Sequence, residues 1–184
     1  MTSLIDTKSE YGSGTVALHW IVALFFIALA VTGYGFMFAS REARGPWLDW
    51  HYGLGFILVV FAGLRLIWRA FNPLPALTGG SKWENLLARA AHALLWFFVL
   101  ALPVTGWVVA STGRRPLSVF GWLEFPRIWG NDRAMHGMSE DWHSWLSHVF
   151  LAVFVLHIAG ALKREWWNKD GTLRRMLGRD AAPR

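Results

Sequence analysis

Two histidines, His143 and His157, lie fourteen residues apart in one apolar stretch of the chain. At about 100° per residue, this spacing brings both imidazoles to within roughly 40° of the same face of an α-helix. It also separates them by roughly 21 Å along the helix axis, which is much of a bilayer hydrocarbon core of about 30 Å. One membrane helix would therefore present two potential metal ligands to the same side, one near each membrane surface.

The composition indicates an integral membrane protein. Of the 184 residues 54% are hydrophobic and 16% are charged, with 13 Trp and 13 Phe, which is too apolar for an ordinary soluble domain. Cysteine is absent, so disulfides, thiolate metal ligands, iron–sulfur clusters and covalently attached c-type haem are excluded. The net charge is +6, and the basic residues that give it lie mainly between the apolar stretches, as basic residues do at membrane flanks. The lipid bilayer, and not nucleic acid, is therefore the expected partner.

Hydropathy predicts an all-α integral membrane protein in which four transmembrane helices form one domain over residues 1–184. The predicted spans are residues 16–38, 50–68, 90–110 and 142–162. Twelve basic residues lie on the side that carries both termini and six on the other side, so the positive-inside rule predicts that both termini are cytoplasmic. Residues 111–141 are predicted to form a loop with a short segment lying on the membrane surface.

Four histidines form two pairs, and the two members of each pair have the same predicted depth in the membrane. His19 begins the first span, and His157 lies in the cytoplasmic half of the fourth. His51 begins the second span and His143 the fourth, both near the outer surface. Ionisable side chains at membrane depth are costly and usually functional. Depth therefore pairs His19 with His157 and His51 with His143.

The two pairs favour haem over zinc as the bound group. Zinc sites usually have three or four protein ligands with help from carboxylate or thiolate, whereas each predicted level offers two histidines and no acid within the spans. Two axial imidazoles between glycine-rich helices suit a flat macrocycle, which predicts two haems with Arg65 as a partner for a haem propionate. A single such histidine could instead be a core imidazole bonded to a backbone carbonyl. That interpretation explains four histidines at matched depths less well. The glycines are Gly33, Gly53, Gly55 and Gly106.

Three further histidines are separate from these pairs. His92 lies at the cytoplasmic half of the third span, where it could bond a quinone carbonyl, replace an axial ligand or make a packed polar contact. His136 is predicted to be a solvated loop residue. His148 is nine residues before His157, so helical phase turns it roughly 180° away and no role is predicted for it.

Short pieces along nearly the whole chain resemble the prokaryotic cytochrome b561 family, and their order together with the fourteen-residue gap carries the resemblance. The pieces are Leu18-His19-Trp20, His51-Tyr52-Gly53-Leu54-Gly55, Gly63-Leu64-Arg65-Leu66, Ala91-His92, Ala101-Leu102-Pro103-Val104-Thr105-Gly106, Trp142-His143, Leu156-His157 and Trp167-Asn168-Lys169-Asp170-Gly171-Thr172-Leu173-Arg174-Arg175-Met176. The resemblance implies two haem b groups in a bacterial inner membrane. His19 and His157 would hold the cytoplasmic haem, and His51 and His143 the outer one.

The resemblance also implies electron transfer, because small stand-alone members are similar to a superoxide oxidase that passes an electron from superoxide to ubiquinone. The expected function is to carry electrons between an outer one-electron donor and the ubiquinone pool, with quinone near His19, His92 and Arg65. Two alternatives stay open: a cytochrome b subunit serving a dehydrogenase or hydrogenase partner, and a non-redox membrane protein such as an assembly factor or carrier. The predicted outer side carries arginines that would steer a small anion or meet lipid phosphates, namely Arg41, Arg44, Arg114 and Arg115.

Overall fold

The computed structural model describes residues 3–76, 79–120 and 122–178. Its four long helices are each long and apolar enough to cross a membrane. The predicted all-α architecture with four membrane-spanning helices is therefore confirmed. The helices are α1 (Ser13–Phe38), α2 (Arg44–Phe71), α3 (Lys82–Thr112) and α4 (Arg133–Trp166), followed by the short α5 (Thr172–Met176).

Every long helix extends beyond its predicted span, and the largest extension is at the beginning of α4. This helix begins nine residues before the predicted start at residue 142. Asp132 caps it, because its carboxylate oxygen accepts hydrogen bonds from the backbone N–H groups of Ala134 and Met135 at 2.9 and 3.0 Å. The prediction of a loop up to residue 141 was wrong at this end, since hydropathy marks the apolar part of a helix and not its capped end.

The segment between α3 and α4 contains a small hairpin. Strand β1 (Ser118–Val119) pairs with β2 (Leu123–Glu124) in antiparallel register, with Ser118 opposite Glu124 and Val119 opposite Leu123. The indole N–H of Trp107 in α3 donates to the Pro126 carbonyl at 3.1 Å, just after the hairpin. The predicted position of this segment on the membrane surface stays a prediction.

The chain forms two compact units, and each long helix contributes residues to both. The first unit contains Met1–Trp20, Gly63–Phe98 and His148–Arg184, and the second contains Ile21–Ala62 and Val99–Ser147. The first unit holds twelve basic and six acidic residues, and the second holds six of each. The whole net charge of +6 thus belongs to the first unit.

Buried polar contacts connect the segment after α4 with the N-terminal segment in the first unit. The guanidinium of Arg175 in α5 donates to the carbonyls of Ala76 and Ser9 at 3.1 and 2.6 Å and lies over the Tyr11 ring. Nearby, Arg164 donates to the Asp170 carboxylate at 2.8 Å, and both side chains are buried. These contacts hold the segment after α4 against the N-terminal segment.

Apolar packing dominates the second unit. Val22, Leu58 and Ala62 are almost fully buried there. Glycines let aromatic rings approach the helix backbone closely. A Cβ on Gly35, for example, would lie 2.5 Å from the Trp47 ring. This close packing fixes the positions of α1 and α2 within the unit.

Candidate functional site

His51 of α2 and His143 of α4 face each other in the second unit, and we call this pair the two-histidine cluster. Their ring centres are 6.2 Å apart and their planes cross at 85°. Two imidazoles on opposite sides of one metal ion have ring centres about 6.3 Å apart, since each metal–nitrogen bond is about 2.0 Å and each nitrogen lies about 1.15 Å from its ring centre. The pair is therefore spaced as two axial ligands of one metal would be.

A threonine in α1 sets the proton position on His51. The Thr32 hydroxyl lies 3.0 Å from the Ala28 carbonyl oxygen and 3.1 Å from Nδ1 of His51. A hydroxyl has one proton, which it donates to the carbonyl, so its oxygen accepts from the imidazole N–H. The proton of His51 is therefore on Nδ1, and the lone pair of Nε2 is left for a metal.

His143 has the same arrangement with a threonine in α3. The Thr105 hydroxyl lies 2.9 Å from the Ala101 carbonyl oxygen and 2.9 Å from Nδ1 of His143. The same reasoning leaves Nε2 of His143 as the metal-binding nitrogen. Both imidazoles of the two-histidine cluster thus hold the tautomer that an axial ligand needs.

A glycine follows each of these threonines and leaves room for the ring. A Cβ on Gly106 would lie 3.2 Å from Cε1 of His143, and one on Gly33 would lie 3.4 Å from Cε1 of His51. Both glycines were predicted from the sequence as part of the site, but the threonines were not. The available signal was the Thr-Gly pair, which occurs within the predicted first and third spans.

The first unit brings together His19 of α1, Arg65 of α2, His92 of α3 and His157 of α4, which we call the four-residue cluster. The ring centres of His19 and His157 are 6.4 Å apart, again close to the spacing of two ligands on one metal. The ring centres of His92 and His157 are 5.3 Å apart, which is too short for that arrangement. The distances therefore favour His19, and not His92, as the partner of His157.

Arg65 holds His19 in the opposite tautomer. Its Nη2 donates to Nδ1 of His19 at 3.0 Å, and its guanidinium lies 5.0 Å from the Trp96 ring centre. Because a guanidinium only donates, Nδ1 of His19 must accept, and the proton of the neutral imidazole is on Nε2. Metal binding through Nε2 would require Arg65 to leave Nδ1. A haem propionate is a suitable new partner for the released guanidinium.

His136 lies in the second unit and is not the solvated loop residue that was predicted. It is half-buried in α4, where its Nδ1 donates to the Val109 carbonyl at 3.0 Å and lies 3.3 Å from the Thr112 hydroxyl. The prediction was wrong because α4 begins at Arg133, which brings its first turns against the end of α3.

The arginines of the predicted outer side are balanced by acids. All six arginines of the second unit are matched in number by six carboxylates. Arg115 pairs with Asp49 at 3.2 Å, and Arg127 donates to backbone carbonyls near the end of α3. Arg41 and Arg114 are exposed, so any attraction of anions would be local.

Known proteins match the chain over almost its whole length. A family model described as prokaryotic cytochrome b561 matches residues 10–179. The chain belongs to this family. It is therefore a multi-pass membrane protein of an electron-transfer family whose members bind b-type haem.

Three proteins similar to this cytochrome b561 chain have nearly the same length. "Cytochrome b561 homolog 2" of Escherichia coli (strain K12) is 29% identical over 185 residues, covering 98% of this chain and 97% of the relative. "Cytochrome b561 homolog 1" of the same organism is 25% identical over 183 residues, covering 93% and 98%. "Probable superoxide oxidase CybB" of Yersinia pestis is 25% identical over 174 residues, covering 91% and 96%.

Proposed function

We propose that this cytochrome b561 protein binds two haem b groups, one between His19 and His157 and one between His51 and His143. The observation that carries this proposal is the pair of ring-centre distances, 6.4 and 6.2 Å, because two imidazoles on one metal ion are about 6.3 Å apart. Haem supplies a one-electron iron couple when bound. Residues of neighbouring helices set the proton position on His19, His51 and His143.

The function that follows is electron transfer across the bacterial inner membrane between an outer one-electron donor and the ubiquinone pool. The protein would then be an oxidoreductase. The charge difference between the two units supports this orientation, since the basic first unit would face the cytoplasm. The two-histidine cluster would then serve the donor side, and the four-residue cluster the quinone side.

The four-residue cluster contains hydrogen-bond donors that a quinone needs. His92 lies next to His157 but is too close to be a ligand opposite it on one metal ion. An imidazole can donate a hydrogen bond to a quinone carbonyl and supply a proton as the carbonyl becomes a hydroxyl. We therefore assign quinone binding to His92, with Arg65 as the neighbouring cation.

Superoxide is the donor class that we propose for the outer side. Support comes from similarity to the Yersinia pestis relative named as a probable superoxide oxidase and from the exposed Arg41 and Arg114. Because the second unit has no net charge, attraction would act only within a Debye length of about 8 Å at physiological salt.

The first experiment measures haem directly. The purified protein should show a Soret band and two haems per chain, and His143→Ala and His157→Ala should each leave one. His148→Ala, the same change on the same helix, should keep two. A colourless wild-type protein, or two haems in both ligand variants, would contradict the proposed ligand pairs.

The second experiment tests the donor. The oxidised protein in vesicles with ubiquinone is exposed to a superoxide generator, with and without superoxide dismutase. Superoxide should reduce the haems and form ubiquinol, and the dismutase should abolish both. Reduction by dithionite but not by superoxide would remove superoxide as the donor while leaving the two haem sites intact.

A further inference from the structure

The C-terminal segment that resembles the cytochrome b561 family, residues 167–176, has no part in the proposed function. It ends in the short helix α5. The last residue of that helix bonds a side chain of α1, because the indole N–H of Trp20 donates to the Met176 carbonyl at 2.7 Å. Trp20 directly follows His19, one of the proposed haem ligands. The segment therefore reaches the four-residue cluster through a single side chain.

The Trp20 indole also contacts the His19 ring. The two ring centres are 5.4 Å apart and the planes cross at 81°, which is the edge-to-face arrangement that aromatic rings prefer. Neighbouring residues of a helix project about 100° apart, so the contact depends on how the indole is turned. The N–H is the one polar group of this side chain, and its hydrogen bond to Met176 fixes that orientation.

α5 is itself held at both of its ends within the first unit. At its beginning, the Glu165 carboxylate of α4 accepts the backbone N–H of Leu173 at 3.1 Å. At its end, Arg175 is 7% exposed and donates to the Ser9 carbonyl at 2.6 Å. A buried guanidinium needs such partners because burial removes it from water. The carbonyl of Met176 is therefore in a fixed position when it accepts the indole N–H.

The contact with Trp20 matters because the other contacts of the His19 ring would change when a metal is bound. Arg65 would have to leave Nδ1, and His157 would become the opposite ligand across the metal. Of the ring contacts described for His19, the one with Trp20 does not involve the bound group. It can therefore hold the imidazole both before and after a haem enters.

We propose that α5 is a latch that positions His19 as a haem ligand, through the hydrogen bond from Trp20 to Met176. This inference rests on the proposed pairing of His19 with His157 and adds Trp20 to it as a positioning residue. Loss of a group that orients a ligating imidazole typically lowers metal affinity by about 10–100-fold. When the latch is opened, the bond between His19 and the iron should therefore break more often.

Carbon monoxide reports on that bond, because it binds a reduced haem with two protein ligands only where one of them has left the iron. Trp20→Phe keeps an aromatic ring but removes the N–H that Met176 accepts. After reduction with dithionite, one of its two haems should bind carbon monoxide about ten times faster than in the wild type. The fast haem should be the one that His157→Ala removes.

Arg175→Met tests the latch without changing Trp20 or His19. It releases α5 from the Ser9 carbonyl, so the same haem should again bind carbon monoxide faster. Because both substitutions act through one contact, the double variant should be no faster than Trp20→Phe alone. Loss of that haem alone from either variant would also support the latch, since the retained haem shows that the protein has folded.

Trp107→Phe is the matched control, because its indole N–H also donates to a backbone carbonyl, that of Pro126 at 3.1 Å, in the second unit. It should leave the haem of His19 at the wild-type rate. Equal rates in the wild type, Trp20→Phe and Arg175→Met, with two haems bound in each, would overturn the latch. A faster rate in Trp20→Phe but not in Arg175→Met would overturn the part assigned to α5. Absence of haem from the wild type would instead overturn the proposed function.

Discussion

The two histidine pairs have nearly the same spacing but different partners. In the two-histidine cluster, the hydroxyls of Thr32 and Thr105 accept from the imidazoles and keep both Nε2 lone pairs available. In the four-residue cluster, Arg65 donates to His19 and places the proton on the opposite nitrogen. One cluster would therefore bind a metal without a change of tautomer, and the other would have to rearrange first.

This difference suggests a division of roles between the clusters. The hydroxyls of Thr32 and Thr105 already donate to backbone carbonyls of their own helices, so the two-histidine cluster suits a permanently held relay. A guanidinium can move from His19 to a propionate, and His92 adds a third imidazole beside His157. The four-residue cluster is therefore better suited to a site where a small molecule binds and leaves.

The largest effect should come from filling the space beside His143. Gly106→Val would place a branched side chain where a Cβ alone lies 3.2 Å from the ring, so His143 should be displaced and one haem per chain lost. Gly137→Val is the control, because a Cβ on Gly137 has no described atom within 4 Å. The haem-to-protein ratio measures both, and an unchanged ratio in Gly106→Val would show that this cluster is not tightly organised.

Removing one threonine hydroxyl should weaken the same haem without abolishing it. Thr105→Val keeps the shape of the side chain but removes the acceptor of the His143 N–H. Loss of such a partner typically lowers metal affinity by about 10–100-fold. Transfer of haem to excess apomyoglobin should be faster by about that factor. Thr15→Val, outside both clusters, should leave the rate at the wild-type value.

Removing the positive charge of Arg65 from the four-residue cluster should change the reduction potential of one haem and leave the haem content of the protein unchanged. Arg65→Met should keep two haems, but the haem held by His19 and His157 loses a nearby positive charge. Its oxidised-to-reduced ratio at a fixed potential should rise about tenfold. Arg115→Met removes an exposed arginine paired with Asp49 and should leave both titrations unchanged. A loss of haem in Arg65→Met would place the guanidinium among the groups that organise the site.

The smallest effect should come from His92. Replacement by Phe should raise the KM for ubiquinone by about fivefold, as expected for the loss of one hydrogen bond of about 1 kcal/mol. The haem content and the rate of haem reduction from the donor side should stay at wild-type values. His148→Phe on α4 is the matched control. An unchanged KM would leave His92 with a packing role.

The pairing of the histidines could be predicted because it depends on helical period and on membrane thickness. Fourteen residues return a side chain to the same helix face, and hydropathy locates each histidine along its span. Both features are local to one helix. The structure brings His19 to His157 and His51 to His143, as that reasoning predicted.

The environment of His136 could not be predicted by hydropathy alone. The first turns of α4 are polar, so the apolar pattern begins only near residue 142. The helix nevertheless begins at Arg133, because Asp132 accepts the hydrogen bonds of its first N–H groups. An N-cap search would have found this start, but not the contact of His136 with Thr112, which depends on how α3 and α4 pack.

The sequence by itself determined that this chain crosses a membrane four times and carries four histidines at two matched depths, since hydropathy and helical period are properties of single helices. Only the tertiary structure decided which nitrogen of His19, His51 and His143 carries its proton. That choice depends on a threonine or an arginine from a neighbouring helix, lying 2.9 to 3.1 Å from the ring. Hydrogen bonds of this length are set by helix packing, which the pattern of one helix does not contain.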